Sequence, residues 1–143
     1  MFPGLIATAC ALLGATAFGF GWRARNGRVR AAAPAEATAA APEGLTPDDI
    51  GIPLGSRATL VQFSSAFCAP CRATRRILSE VAGMVDGVAH VEIDAESRLD
   101  LVRRLDVRRT PTTFVLGPDG RISHRASGEP RKADVIAALG VVI

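Results

Sequence analysis

An α/β fold with a mixed central sheet and helices on both faces, preceded by one N-terminal transmembrane helix, is what three features of the 143-residue sequence predict. From residue 45 onward, apolar spacings of two and of three to four alternate along the chain, the pattern of strands interleaved with helices. A Gly117–Pro118–Asp119–Gly120 turn joins two late strands, so part of the sheet is antiparallel. Between Phe2 and Trp22 there is no charged side chain at all.

That N-terminal run is long enough, at about 1.5 Å per helical residue, to reach across the roughly 30 Å apolar core of a bilayer. Trp22 closes it, and Arg23, Arg25, Arg28 and Arg30 follow. A cleaved secretory signal carries its positive charge before the apolar stretch; here the order is reversed, which favours a retained anchor over residues 1–22. The positive-inside rule then puts the folded domain on the cytoplasmic side, with an extracytoplasmic placement as the alternative. Residues 23–44 read as a linker, Arg-rich and then Ala/Pro-rich, because 31–44 offer no apolar side chain larger than alanine.

Residues 45–143 form the single folded domain. Thr46–Pro47–Asp48–Asp49 has the composition of a capped helical turn. Ala58–Ser64 reads as a buried strand, and Cys68 opens a helix with Ile77, Leu78, Val81, Met84 and Val85 at helical spacing, ending near Gly87. Val88–Ala95 alternates, with Ala89, Val91 and Ile93 on one face and His90, Glu92 and Asp94 on the other. Ser97 and Asp100 look like a capping pair for a helix carrying Leu99, Val102 and Leu105. Thr112–Leu116 and Arg121–Ala126 flank the Pro–Asp–Gly turn, and Pro130 starts a last helix whose Val135, Ile136, Leu139 and Val142 face the core.

The net charge of +3 comes from outside this domain: from Leu45 onward there are 13 basic and 12 acidic residues. A nucleic-acid binder concentrates its basic excess on the folded part, so no nucleic-acid partner is expected. Of three cysteines, Cys10 falls in the apolar run, leaving Cys68 and Cys71 as one pair. A C-x-x-C pair closes too small a loop to contribute much chain-entropy stability, which favours a chemical role. The pair sits where a buried strand meets an amphipathic helix. There the unpaired N–H groups and the helix dipole favour the thiolate, the species that attacks disulfides. Pro70 suits the first turn, where no internal N–H bond is lost, and Arg72, Arg75 and Arg76 add positive charge. Zinc is the competing use of such a pair. It needs four ligands in recognisable spacing, and the remaining candidates, His90 and His124, fit no such pattern, so neither metal nor other cofactor is expected.

Phe63–Arg72, FSSAFCAPCR, resembles the active-site segment of the thioredoxin family, and Arg103–Leu116, RRLDVRRTPTTFVL, resembles that family's cis-proline region. The resemblance spans most of residues 45–143 and implies a thioredoxin-like fold and a protein-disulfide oxidoreductase. It further implies that Cys68 is the attacking thiolate, Cys71 the resolving thiol and Pro111 the cis-proline. Phe67, Ala69, Pro70, Thr110 and Pro111 would then meet the substrate, with the backbone at Thr110 pairing with an extended substrate segment. Three positions depart from the pattern: Phe67 replaces a tryptophan, Ala69 a glycine, and Gln62 a buried aspartate thought to assist proton transfer. Glutamine cannot act as a base, and His90, where the family often has a lysine, is the possible proton-transfer group in its place. The implied partners are protein disulfides and an upstream reductant such as a thioredoxin reductase, at the membrane. Two alternatives stand beside this reading: an extracytoplasmic protein exchanging disulfides in exported or haem-binding proteins, and a low-turnover binding module on the same fold.

Overall fold

The computed structural model describes residues 2–32 and 44–143. Helix α1 (Phe2–Arg25) is followed by a two-residue strand β1 (Arg30–Ala31), a single turn α2 (Pro47–Ile50) and strand β2 (Ala58–Ser64). Helix α3 (Ala69–Met84), β3 (Val88–Asp94), α4 (Leu99–Arg104), β4 (Thr112–Leu116), β5 (Ile122–Ser127) and α5 (Lys132–Val142) complete the chain. The sheet order is β1-β5-β4-β2-β3, with β2 and β3 parallel and every other neighbouring pair antiparallel. This is the expected mixed α/β sheet.

Strand β2 is buried along its whole length, as its run of Leu60, Val61 and Phe63 demands of a central strand. Its alternation sends Val61 and Phe63 to one face, where they pack with Ile93, Leu101, Phe114 and Leu116. Leu60 goes to the other face, with Leu78 and Val81 of α3 and Val135 and Leu139 of α5. The Thr46 turn forms a full capping box with Asp49, as its composition predicts.

Several expectations fail at helix ends. Ser97 does not cap α4; its hydroxyl donates to Asp94 instead, and the N-cap position is Arg98 with no side-chain cap. Of the predicted face of α4, Val102 and Leu105 do pack into the core, but Leu99 at the helix start is exposed and Leu101 fills the core. Met84 and Ile136 are likewise exposed, at or near the solvent side of their helices.

The N-terminal segment brings the main correction. A helix does form over Phe2–Arg25, but among the described residues no helix is long and apolar enough to cross a membrane. Gly14, Gly19, Gly21, Thr8 and Thr16 dilute its bulky apolar content, and its last turn already carries Arg23 and Arg25. The expected membrane anchor is therefore unsupported, and the membrane sidedness argued from the arginines falls with it. Cys10 is an exposed free thiol on this helix. The arginine-rich stretch read as linker supplies strand β1, which pairs with β5, and Ala32 N–H donates to Ser123 O. Gly27, at φ 74°, donates to Ser127 O; a Cβ there would collide with the Glu129 carbonyl, so only glycine brings the chain this close to β5. The Ala/Pro-rich part of the linker, 33–43, lies outside the described residues.

Candidate active site

The end of β2 delivers the chain through Ser65, Ala66 and Phe67 to the start of α3. Phe67 takes a left-handed φ of 59° and is fully exposed, turning the backbone so that Cys68 becomes the N-cap residue of α3. Cys68 and Cys71 form a disulfide with Cα atoms 5.2 Å apart. Cys71 is buried at 2% exposure, whereas Cys68 is only half-buried, so the two sulfurs differ in access as the spacing predicts. The Cys71 N–H points at Cys68 Sγ at 3.2 Å. That donor favours negative charge on Cys68 once the pair is reduced. Ala69 and Pro70 continue the exposed rim.

The Thr110–Pro111 peptide is cis, and Pro111 is buried. Thr110 Oγ1 lies 2.7 Å from Ser65 Oγ, which ties this segment to the loop before the cysteines. Pro111 O accepts from Gly128 N–H, and Thr112 Oγ1 donates to Arg109 O. Phe67, Cys68, Ala69, Pro70, Thr110 and Pro111 thus belong to two segments joined at Ser65.

Beneath the cysteines, between α3 and the sheet, lies a polar seam. Gln62 Nε2 donates to Cys71 O and to Ser64 Oγ, both at 2.8 Å. In the β2–β3 register Gln62 faces Glu92, while His90 sits two pairs further along, opposite Leu60. Glu92 is bound by Arg75 Nε at 2.6 Å. Burial pushes the Glu92 carboxyl up, but the Arg75 guanidinium and the Ser64 hydroxyl outweigh it and hold it below the usual glutamate range. His90 Nδ1 is 3.1 Å from Ser79 Oγ, and burial pulls its pKa down against the opposing pull of Glu92, so it is neutral near pH 7. Among the described residues, Gln62 Oε1, Glu92 Oε1, His90 Nε2, Thr74 Oγ1 and Thr113 Oγ1 are buried without a partner in this layer.

Sequence reading singled out His90 and passed over Glu92. The signal for Glu92 was the strand alternation itself, which places it on the same face as His90 and opposite Gln62 once β2 and β3 are paired in parallel. Of the three arginines after the cysteines, Arg75 is committed to Glu92, and Arg72 and Arg76 are exposed. Among the described residues no cluster of His, Cys, Asp or Glu could hold a metal ion.

Fold and site together define a dithiol–disulfide protein on a mixed α/β sheet. The thioredoxin family model matches residues 52–140. Thioredoxin from Staphylococcus epidermidis is 27% identical over 96 residues, covering 66% of this chain and 91% of that one. Chloroplastic thioredoxin Y2 of Arabidopsis thaliana is 36% identical over 70 residues, 48% of this chain and 41% of that one. The crystal structure of chloroplastic thioredoxin z superposes with a TM-score of 0.58 at 23% identity, covering 73% of this chain and 96% of that chain. The chain spans about half the length of several curated relatives it matches. It belongs to the thioredoxin family.

Proposed function

We propose that the chain is a thiol–disulfide oxidoreductase that reduces protein disulfides through Cys68 and Cys71, carried by a domain over residues 45–143. The observation that carries this reading is the unequal access of two cysteines at disulfide distance, one capping a helix N-terminus and the other buried behind it. The Cys68 thiolate attacks one sulfur of a substrate disulfide, forms a mixed disulfide and expels the other sulfur as thiolate. Cys71 then loses its proton and attacks Cys68 Sγ. The internal disulfide forms, the second substrate sulfur leaves, and two electrons have passed to the substrate. An upstream dithiol reductant such as a thioredoxin reductase restores the pair.

Phe67, Ala69, Pro70, Thr110 and Pro111 form the surface that meets the substrate. Loss of the Cys71 proton needs an acceptor that Gln62 cannot be. His90 remains a candidate, but its ring is bonded at Nδ1 to Ser79, at the far side of the seam from Cys71. Glu92 is the better supported acceptor. Ionised and paired with Arg75, it lies across the β2–β3 register from Gln62, whose amide donates to Cys71 O.

The test is a trap. In a Cys10→Ser background, which removes the exposed thiol of α1, Cys71→Ser is mixed with a disulfide-bonded peptide and digested for mass spectrometry. A stable peptide adduct on Cys68 is expected. No adduct, or one equally abundant when Cys68 is the residue replaced and Cys71 is kept, overturns the assignment.

A further inference from the structure

On the sheet face opposite α3, at the β5 edge, is an open cavity of about 580 Å³. Six guanidinium groups line it, from Arg25, Arg28, Arg30, Arg104, Arg109 and Arg125, against a single carboxylate, Asp106, that Arg108 already occupies. Leu105, Ile122 and Phe114 supply an apolar floor.

The six arginines divide into two sets. Three are fixed by protein groups: Arg104 by Asp49 at 2.8 Å, Arg109 by Ser127 O at 2.6 Å, and Arg125 by Leu105 O and Asp106 O while its guanidinium lies 5.2 Å over the Phe114 ring. The other three, Arg25, Arg28 and Arg30, have no hydrogen-bond or ion-pair partner among the described residues. Their positions are nevertheless set by backbone bonding, through the Gly27 bond to Ser127 and the β1–β5 pairing.

That pairing carries a cost that an ordinary sheet edge avoids. Arg30 lies directly across from Arg125 in the antiparallel register. Like charges facing each other across a strand pair are destabilising, and Asp106, the one carboxylate beside Arg125, is also paired with Arg108. An anion in the cavity would offset it. Guanidinium forks match phosphate oxygens two at a time, and the three arginines without a side-chain partner among the described residues outnumber the one lining carboxylate. The volume suits a small molecule, with the apolar floor taking its organic part.

We propose that this cavity is a binding site for a phosphorylated small molecule, whose phosphates are held by Arg28 and Arg30 against the fixed arginines. Arg109 immediately precedes Thr110–Pro111, so the occupied site adjoins the segment proposed to meet disulfide substrates. The proposal does not depend on the redox reading.

Calorimetric titration of the full chain with inorganic pyrophosphate, and separately with adenosine triphosphate, tests it. Saturable one-to-one binding is expected, weakening as salt rises from about 50 mM to about 500 mM. The double variant Arg28→Gln/Arg30→Gln, at two exposed positions, should weaken binding by about tenfold or more while leaving reduction of a small disulfide unchanged. Nuclear magnetic resonance of the arginine Nε–H groups gives an independent readout that needs no variant. Shifts on addition of pyrophosphate should concentrate on Arg28, Arg30 and Arg104. Absence of saturable binding, binding indifferent to the double variant, or shifts centred on Arg72 and Arg76 overturns the proposal. Tighter binding of a hexaglutamate peptide than of either phosphate also overturns it, in favour of an acidic protein segment.

Discussion

The two faces of the sheet are built on different terms. On one, Val61, Phe63, Phe114 and Leu116 pack against Leu101 and Leu105, with Thr59 and Thr112 the buried polar residues of the two strands there, and Phe63 meets Phe114 edge to face at 5.8 Å. On the other, the core under α3 and α5 begins just as apolar, around Leu60, Val115 and Leu139, and turns polar toward the cysteines at Gln62, Ser64, Thr74 and Thr113. One strand contributes to both: the odd positions of β2 run Thr59, Val61, Phe63, while its even positions run Ala58, Leu60, Gln62, Ser64. Apolar packing alone would stabilise the fold more cheaply, since each buried polar group must find a partner or cost free energy. The Thr59 and Thr112 hydroxyls on the first face are bonded, to Gly55 N–H and Arg109 O, whereas Gln62 Oε1, Thr74 Oγ1 and Thr113 Oγ1 on the face toward the cysteines have no partner among the described residues.

Mutations on the two faces should therefore fail in different ways. Phe63→Ala opens a cavity in the more apolar face and should cost about 3–5 kcal/mol in denaturant unfolding, while any protein that still folds keeps its exchange chemistry. Gln62→Leu strips the Cys71 carbonyl and the Ser64 hydroxyl of their donor, but it also removes the unpartnered Gln62 oxygen. The smaller cost of about 1–2 kcal/mol should result, with a change in the reduction potential of the pair that Phe63→Ala does not show. Glu92→Gln exchanges an ion pair with a half-exposed arginine for a neutral contact, worth about 1 kcal/mol or less. Stopped-flow measurement of mixed-disulfide resolution should nevertheless show slowing of about tenfold or more, the signature of a lost proton acceptor.

Acid should reach the polar face first. The folded protein depresses the His90 pKa, so the native state holds fewer protons there than the unfolded chain. The contribution from neutral His90 is complete above its unfolded pKa of about 6.5 and is lost as pH falls toward the lower folded value. Glu92, also depressed, adds a further loss below the unfolded glutamate pKa of about 4.3. Thermal midpoints of the chain should fall between neutral and mildly acidic pH, and His90→Asn should flatten that first decline while leaving the lower one. The smallest effect belongs to neither face: Leu99→Ser, at an exposed helix start, should change stability by about 0.5 kcal/mol or less.

What the sequence made legible follows the strength of the local signal. Ala58–Ser64 and Thr112–Leu116 were readable to the residue because central strands need uninterrupted apolar or β-branched runs bounded by turn residues. The cysteines and Thr110–Pro111 were readable because each is a chemical pattern at a fixed spacing. Strand β1 was not, since two residues in an arginine-rich stretch carry no periodicity and exist only through pairing with β5. Glu92 was hidden for a related reason: its neighbours are set by the β2–β3 register, which no local pattern specifies. Residues 2–25 show the opposite failure, where absence of charge was read as apolarity although small residues made up much of the run.

The most direct test is reduction of a disulfide-bonded protein such as insulin by the full chain, with dithiothreitol as electron source, comparing wild type with Cys68→Ser. Acceleration over dithiothreitol alone that scales with wild-type concentration and vanishes in Cys68→Ser is the expected result. Equal acceleration by Cys68→Ser, or none by the wild type, would contradict the assignment of this pair as the working dithiol.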